Sequence, residues 1–462
     1  MSHCAARVQV RPTMALFARI SSTLALFAAL FAAPVVGAQG LRDRISDLFI
    51  FGPGEAPLFL AGSGDPNNPA SLQVHGLHFI PSSNAENGAL IAFITDALGS
   101  SIGRIPFGST SGGETFRFEG GVPVKTSTSA GPIFAERAQT LGRGRVLAGV
   151  SRTGFRFATI RGVDMHNIDL TFTHQNVDFE GCDAQFGADC SLYGVPVLEN
   201  DAMAFHLSMD LDVRVTSIYM TYGITDRLDF GLVVPIVQAD FRGSSDAQIL
   251  PFGGTTAAHY FEGTTTNPVL SAHRQSIGSA AGLGDVALRL KLNMRQTASS
   301  AFAVLLDGRF PTGSQEDLLG SGKFSGRALI ILNSRFGDFS PHLNTGYLHH
   351  GGDQQNDAVL GTIGFDHRLS DVFTLATDLV TELQVGDSKL PLPGLVTYEA
   401  PFRRTVNPTN IPAIRDDVVS GSFGFKLTPA RSTTIVLNTL FPLNRGGLRP
   451  NLVYTAGIEY TF

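Results

Sequence analysis

Hydrophobic and polar residues alternate with a period of two over most of the second half of the chain. In the last dozen residues, Leu452, Tyr454, Ala456, Ile458, Tyr460 and Phe462 share one parity, while Val453, Thr455, Gly457, Glu459 and Thr461 share the other. Successive side chains of a strand point to opposite faces, so this stretch predicts a strand with one apolar, aromatic-tipped face and one small or polar face. Its length meets the roughly 9–11 residues that a tilted strand needs to cross a bilayer. An amphipathic strand of a soluble sandwich would read the same way in isolation, so the remaining segments decide.

The pattern recurs as hairpins. Phe205, Leu207, Met209, Leu211, Val213 and Val215 fall on one face, with His206, Ser208, Asp210, Asp212 and Arg214 on the other. Val286, Leu288, Leu290, Leu292 and Met294 likewise alternate with Arg289, Lys291, Asn293 and Arg295. Connections at 223–227, 296–300, 337–338, 370–371 and 428–432 are short, and those between them are mostly longer and richer in Gly, Pro, Asn and Asp, notably 243–281 and 386–418. Short turns at one end and long loops at the other are the asymmetry of outer-membrane barrels, and they put the C-terminus on the periplasmic side. Tyr222, Phe230, Phe302, Phe336, Phe339, Phe373 and Phe462 lie near the short turns, which predicts an aromatic girdle there. LVVP at 232–235, GRFP at 308–311 and TLFP at 439–442 end upward strands, each proline marking where ladder pairing loosens.

The N-terminal portion reads differently. Arg19, the apolar run Leu24–Ala33 and the small residues Val36-x-Ala38 predict a signal peptide over 1–38, with Met14 as an alternative start. Leu41, Ile45, Leu48 and Phe49 recur at helical spacing, and Ala89–Leu98 is a second apolar helix candidate. Residues 39–112 are therefore expected to form a partly helical plug in the lumen or a small periplasmic subdomain. Residues 113–462 are expected to form an all-β, antiparallel, up-and-down transmembrane barrel. Eleven strands are counted from Leu207 onward; Ile168–His174 would add a twelfth, and Arg143–Thr159 with Thr115–Val124 would make fourteen. Fourteen is the expectation, with twelve as the alternative, because bacterial barrels favour even numbers.

Composition changes this picture little. Charged residues make up only 16% of the chain against 43% hydrophobic, which excludes disorder, and no basic tract suggests nucleic acid. Cys4 leaves with the signal, and Cys182 and Cys190 are expected to form a disulfide in an exported loop. If the polar faces line a lumen, its charges are Asp210, Asp212, Arg214, Arg289, Lys291, Arg295, Asp307, Arg309, Asp378, Glu382, Lys426 and Glu459. Both signs are balanced, which fits salt-bridged filling of the interior as well as a solute path. His349, His350, Asp353 and Asp357 read as a solvated loop before a metal site, and Gly320-Ser-Gly-Lys323 lacks the rest of a phosphate-binding loop. No cofactor, metal or catalytic motif emerges, so the chain is not read as an enzyme.

The C-terminal strand ending on Phe462 resembles that of bacterial outer-membrane barrels, whose assembly machinery reads that end, which implies that machinery and outer-membrane lipid as partners. A more specific resemblance rests on four motifs: Tyr222-Gly-Ile-Thr-Asp-Arg-Leu-Asp-Phe-Gly231; Gly282-Leu-Gly-Asp285 with Leu288-Arg-Leu-Lys291; Phe310-Pro-Thr-Gly313 followed by Leu318-Leu-Gly-Ser-Gly322; and Pro341-His-Leu-Asn-Thr-Gly-Tyr347. In this order they resemble the outer-membrane barrel family labelled MetA-pathway of phenol degradation, or transporter, over roughly residues 203–462. The resemblance implies an outer-membrane channel or transporter for small hydrophobic or aromatic molecules, here expected to be gated by the N-terminal plug. In plan the chain is also similar to the long-chain fatty-acid transporters. Two alternatives stand beside this reading: a structural or surface-anchoring barrel without transport, and a lipid-acting enzyme, for which His342 and His367 are present without a convincing serine partner.

Overall fold

The alternation closes on itself. The computed structural model describes residues 39–51, 94, 97–98, 116–119, 122–125, 131–132, 134–173, 202–251, 261–264, 266–352, 355–390, 392–398, 403–430 and 432–462. Fifteen strands form the main sheet: β1 (Val146–Ile160), β2 (Val163–Asp164), β3 (Ile168–Thr173), β4 (Ala202–Gly223), β5 (Leu228–Leu250), β6 (Ser271–Leu283), β7 (Val286–Gln296), β8 (Ser300–Phe310), β9 (Ser325–Ser334), β10 (Phe339–His350), β11 (Ala358–Arg368), β12 (Phe373–Gln384), β13 (Val418–Ala430), β14 (Thr433–Pro442) and β15 (Leu448–Thr461). Twelve of them make a closed antiparallel ring, in the order β1, β4, β5, β7 to β15, with β15 pairing back to β1. Closure removes every unpaired edge at membrane depth, the condition for strands to cross lipid. Among the described residues no helix is long and apolar enough to cross a membrane.

Twelve strands replace the expected fourteen. Among the described residues, the segment Phe116–Glu119 pairs only with Val122–Lys125, as a separate two-stranded sheet. β3 pairs with the far end of β4 and stays outside the ring, as do β6 and β2. The twelfth ring strand is β1, from the Arg143–Thr159 segment. The short turns fall where the sequence puts them, at one end of the barrel beside the C-terminus, where the Phe462 amide donates to the Val146 carbonyl.

The outward face is an apolar belt. Ile218, Met220, Leu288, Leu290, Leu306 and Ile330 are among the exposed large hydrophobics, and so are Leu452, Tyr454, Ile458 and Tyr460 of the terminal strand. A surface of this kind needs lipid around it, and the protein is an outer-membrane β-barrel.

β4 and β5 are more than 20 residues long and rise well past the rest of the ring at the end opposite the short turns. There β3 flanks β4, and β6 pairs with β5 over Ile236–Gln248. β6 and β7 run in line along β5, interrupted at Gly284-Asp285, beside Pro235. Pairing therefore does not loosen after the LVVP segment as expected: the neighbouring strand breaks there instead, and the Gly284 amide donates to the Pro235 carbonyl at 2.8 Å. The stretch expected to be a long loop, 243–281, is largely strand.

The inner face of this projecting sheet carries the main hydrophobic core. Phe205, Leu207, Met209, Leu211 and Val213 of β4 are buried with Phe241 and Ile249 of β5. Helix α1 (Leu41–Ser46) and the turn of 3-10 helix at Asp47–Phe49 cover them. The Phe49 ring stacks on Phe205 at 4.8 Å, and the Ser245 hydroxyl donates to the Leu48 carbonyl at 2.6 Å. The apolar face predicted for Leu41, Ile45, Leu48 and Phe49 is thus the buried one. Ile94, Ala97 and Leu98, helical as expected, join the same core.

Candidate functional site

Between β1 and the preceding chain, an irregular segment lies inside the ring. Ala135, Glu136, Arg137, Ala138, Thr140 and Leu141 are buried. A non-helical backbone at this depth needs partners for its own polar groups, and inward side chains of the wall supply them. The Phe134 amide donates to Asp378 at 3.2 Å, the Ala138 amide to Asn333 at 2.7 Å, and the Leu141 amide to Asp229 at 3.1 Å. The Ala138 carbonyl accepts from the Asn293 side chain at 2.8 Å. Gly131 and Gly142 sit at positive φ at either end, where a side chain would be strained.

Charges complete the attachment. Glu136 accepts from Arg289 at 3.1 Å, and Arg289 also pairs with Asp307, which holds Arg327 at 2.9 Å. Arg137 lies 3.8 Å from Asp366. His342 bridges Asp366 and Asp378, at 3.6 and 2.6 Å. Lys291 approaches Asp229 at 3.6 Å, and the Tyr219 hydroxyl donates to Glu459 at 3.0 Å. Nearly all of these groups are buried, so removing one partner strands the other in a poorly solvating interior.

Towards the long-loop end the lumen opens into two adjoining cavities of about 210 and 190 Å³, which share Glu382, Val418, Ser420 and Leu440 as walls. The outer one is bounded by Phe155, Phe157, Leu448 and Val453 on an apolar side, and by Gln384, Asp416 and Arg449 on a polar side. The inner one ends on Phe134 and Glu136 of the lumenal segment. Arg449 is pinned by Asn444, Ser420 and the Val419 carbonyl.

The residues that sequence parity assigns to the lumen separate into two groups. Arg289, Lys291, Asp307, Arg309 and Asp378 are buried inside the ring with Lys426 and Glu459, and Glu382 borders both cavities. Asp210, Asp212 and Arg214 do not face the lumen. They lie on the face of β4 opposite Tyr219, outside the projecting sheet, where Arg156 pairs with Asp212 at 2.9 Å and Arg214 with Asp240 at 3.2 Å. Arg295 is exposed at the short-turn end, beyond a register shift after Asn293. Sequence reasoning missed Glu136, Arg137, Asp229, Asn333 and Asp366. Asp229 and Asn333 could have been found by carrying strand parity to the turns. Cys182, Cys190, Asp353 and residues 1–38 lie outside the described residues, as does most of 52–112. His342 is inside the ring, away from the lipid-facing surface that a lipid-acting site requires.

Two of the four motifs of the sequence resemblance, Gly282–Asp285 and Phe310–Gly322, meet at the break between β6 and β7. The buried carboxylate of Asp285 accepts from the Gly313 amide at 3.1 Å and from the Ser321 amide and hydroxyl at 2.8 and 2.7 Å. Thr312 donates to the Gly284 carbonyl at 2.6 Å. A Cβ on Gly320 would fall 2.4 Å from the Asp285 carboxylate. The loop so fixed presents buried Leu318 and Leu319 to the core and the Glu316 carbonyl to the Arg42 amide of α1. On the far side of the mouth, burial acts to raise the Asp357 carboxyl, but hydrogen bonds from Tyr347, the His350 amide and His349 outweigh it and hold it at about 2.

Residues 202–390 match the family described as "Putative MetA-pathway of phenol degradation", which bears out the resemblance read from the motifs. Among solved structures, an outer membrane channel from Pseudomonas putida F1 is similar at 12% identity and a TM-score of 0.39, over 70% of this chain and 98% of that one. The P. putida toluene transporter TodX is similar at 10% identity and a TM-score of 0.29, over 69% and 89%. A Pseudomonas aeruginosa FadL homologue is similar at 8% identity and a TM-score of 0.31, over 69% and 90%. No curated protein matches the chain.

Proposed function

We propose that this protein is an outer-membrane channel for small hydrophobic or aromatic molecules, closed at rest by the chain that precedes the barrel. The observation that carries the reading is the lumenal segment 134–141, which closes the inner end of the inner cavity and is tied to the wall through side chains rather than through a strand ladder. Ties of this kind can be exchanged for water one at a time, whereas a ladder would have to unzip. The outer cavity sets Phe155 and Phe157 opposite polar groups, and two such cavities suit a solute of one or two rings better than a sugar or a peptide. The aromatic class also draws on the phenol-degradation label of the matching family. Residues 40–51 belong to this assembly as the cover of the apolar mouth, in place of a plug deep in the lumen.

The test is uptake into proteoliposomes by the full-length protein carrying A138C and N333C, positions that touch in the closed state. Entry of a neutral aromatic solute should be blocked when the tether is oxidised and restored by reductant, with wild type insensitive to reductant. Uptake by the oxidised tether equal to wild type removes this segment as the gate. The competing reading, a sealed structural barrel, takes the same salt-bridged network as permanent filling, and it expects no uptake by any form.

A further inference from the structure

Register fixes a lattice of side chains on the outward face of β1, β4 and β5, edged on β6 by the exposed Ile277 beside Arg242. Val150, Ile218 and Val234 form a lipid-facing row, and above it the same face turns polar without any change of parity. The next rows bring Arg152 beside Thr216, Arg214 beside Gln238, Arg156 beside Asp212 and Asp240, and Asp210 beside Arg242. Arg152 and Arg242 stand three row spacings apart, about 20 Å along the strands and roughly 15 Å in height once strand tilt is allowed for. The headgroup region of a phospholipid leaflet is only about 5–8 Å deep. A charged face this tall, continuous with the lipid belt, matches an outer leaflet whose lipids carry phosphates and sugars well above the acyl chains.

Two of the four arginines are left to meet such phosphates. Arg156 and Arg214 are paired with Asp212 and Asp240. Arg152 is exposed and, among the described residues, bonds only the neutral Thr216 and Gln238 side chains, each at 3.3 Å. Arg242 is exposed beside Asp210, whose carboxylate is already engaged by Arg156 and His166.

We propose that this outward face binds the phosphate groups of the outer-leaflet glycolipid, lipopolysaccharide, through Arg152 and Arg242. The site lies outside the barrel and is separate from the solute path. Its test is binding of full-length protein in detergent to lipopolysaccharide and to the same material after enzymatic dephosphorylation, for wild type and for R152Q/R242Q. Heat-shifted electrophoretic mobility reports that both barrels are folded. Wild type should hold the phosphorylated form in a salt-sensitive manner, and the double variant should bind it about thirtyfold more weakly, the expectation for two cations near an anionic surface. Equal binding of the two glycolipid forms, or equal binding by the variant, overturns the proposal. So does a wild-type dimer in light scattering that the variant lacks, because the face would then belong to a second copy of the chain.

Discussion

The lower and upper halves of β4 and β5 share one register and have opposite polarity. Below about residue 216, Ser217, Tyr219 and Thr221 point inward while Ile218, Met220 and Tyr222 point outward. Above it, Leu211, Val213 and Val215 point inward and Asp210, Asp212 and Arg214 outward. β5 inverts at the same level, between Ile236 and Gln238. Parity records which face a residue occupies, but the medium on each side decides which face is apolar. In the hydrocarbon layer the apolar face is outside; above it, where the surroundings are polar, the apolar face is inside and must be covered. The switch marks the membrane surface, and α1 with the residues after it is the cover.

Substitutions on either side of the switch separate the two halves. The largest effects belong to buried positions. Arg289→Met leaves Glu136 and Asp307 without their shared cation, and breaking a buried pair of this kind costs about 3–5 kcal/mol. It should appear as lowered denaturant stability and faster proteolysis of 131–142. Phe205→Ala removes the ring between Phe49 and Phe172, a loss of about 3–5 kcal/mol. The effect should be confined to the upper half, so that hydrogen exchange rises in 40–51 while the ring stays protected. Exchange rising equally around the ring would show that the two halves are one cooperative unit.

A matched pair on one strand tests the inversion itself. Met220→Arg should cost about 2–4 kcal/mol, as for a cation at the lipid midplane, whereas Asp212→Leu, on the same face of the same strand, should change stability by less than about 0.5 kcal/mol. Equal costs in a folding titration into vesicles would move the membrane boundary. Asp285→Asn joins the two halves, weakening an acceptor that holds three donors. About 1–3 kcal/mol is expected, read as release of the loop 311–324.

The smallest effect is that of pH at the mouth. The Asp357 carboxyl is held below the ordinary value near 4. Its contribution is therefore complete above that value and is lost as pH falls through about 2. Asp357→Asn should abolish this acid-side step in a melting series, and an unchanged step would assign it to another carboxylate.

The ring was legible because lipid imposes strict alternation. The parity of Leu452 to Tyr460, the short turns and the outward aromatics all follow from the strands having to present one apolar face to the bilayer. What escaped was set by medium or by fit. Asp210, Asp212 and Arg214 alternate as regularly as Arg289 and Lys291, and nothing local distinguishes a polar face bathed in water from one lining a lumen. β3 and the 116–125 hairpin have strand chemistry, but ring membership depends on partners far away in sequence. The lumenal segment Gly131–Gly142 has no periodicity at all, since its backbone is satisfied by Asp229, Asn333 and Asp378 from three distant strands. A Glu-Arg pair followed by Ala-Gln-Thr-Leu, just before the first strand, was the only trace of it.

The most direct test of a lumen closed by its own leading chain is planar-bilayer conductance. The intact protein would be compared with a variant in which residues 134–141 are replaced by a glycine-serine stretch of equal length, keeping the chain continuous while removing its ties to the wall. The intact form should stay shut and the variant should open a steady channel. Silence from both, with both barrels folded, would show that the interior is filled by more than this segment and would contradict the account.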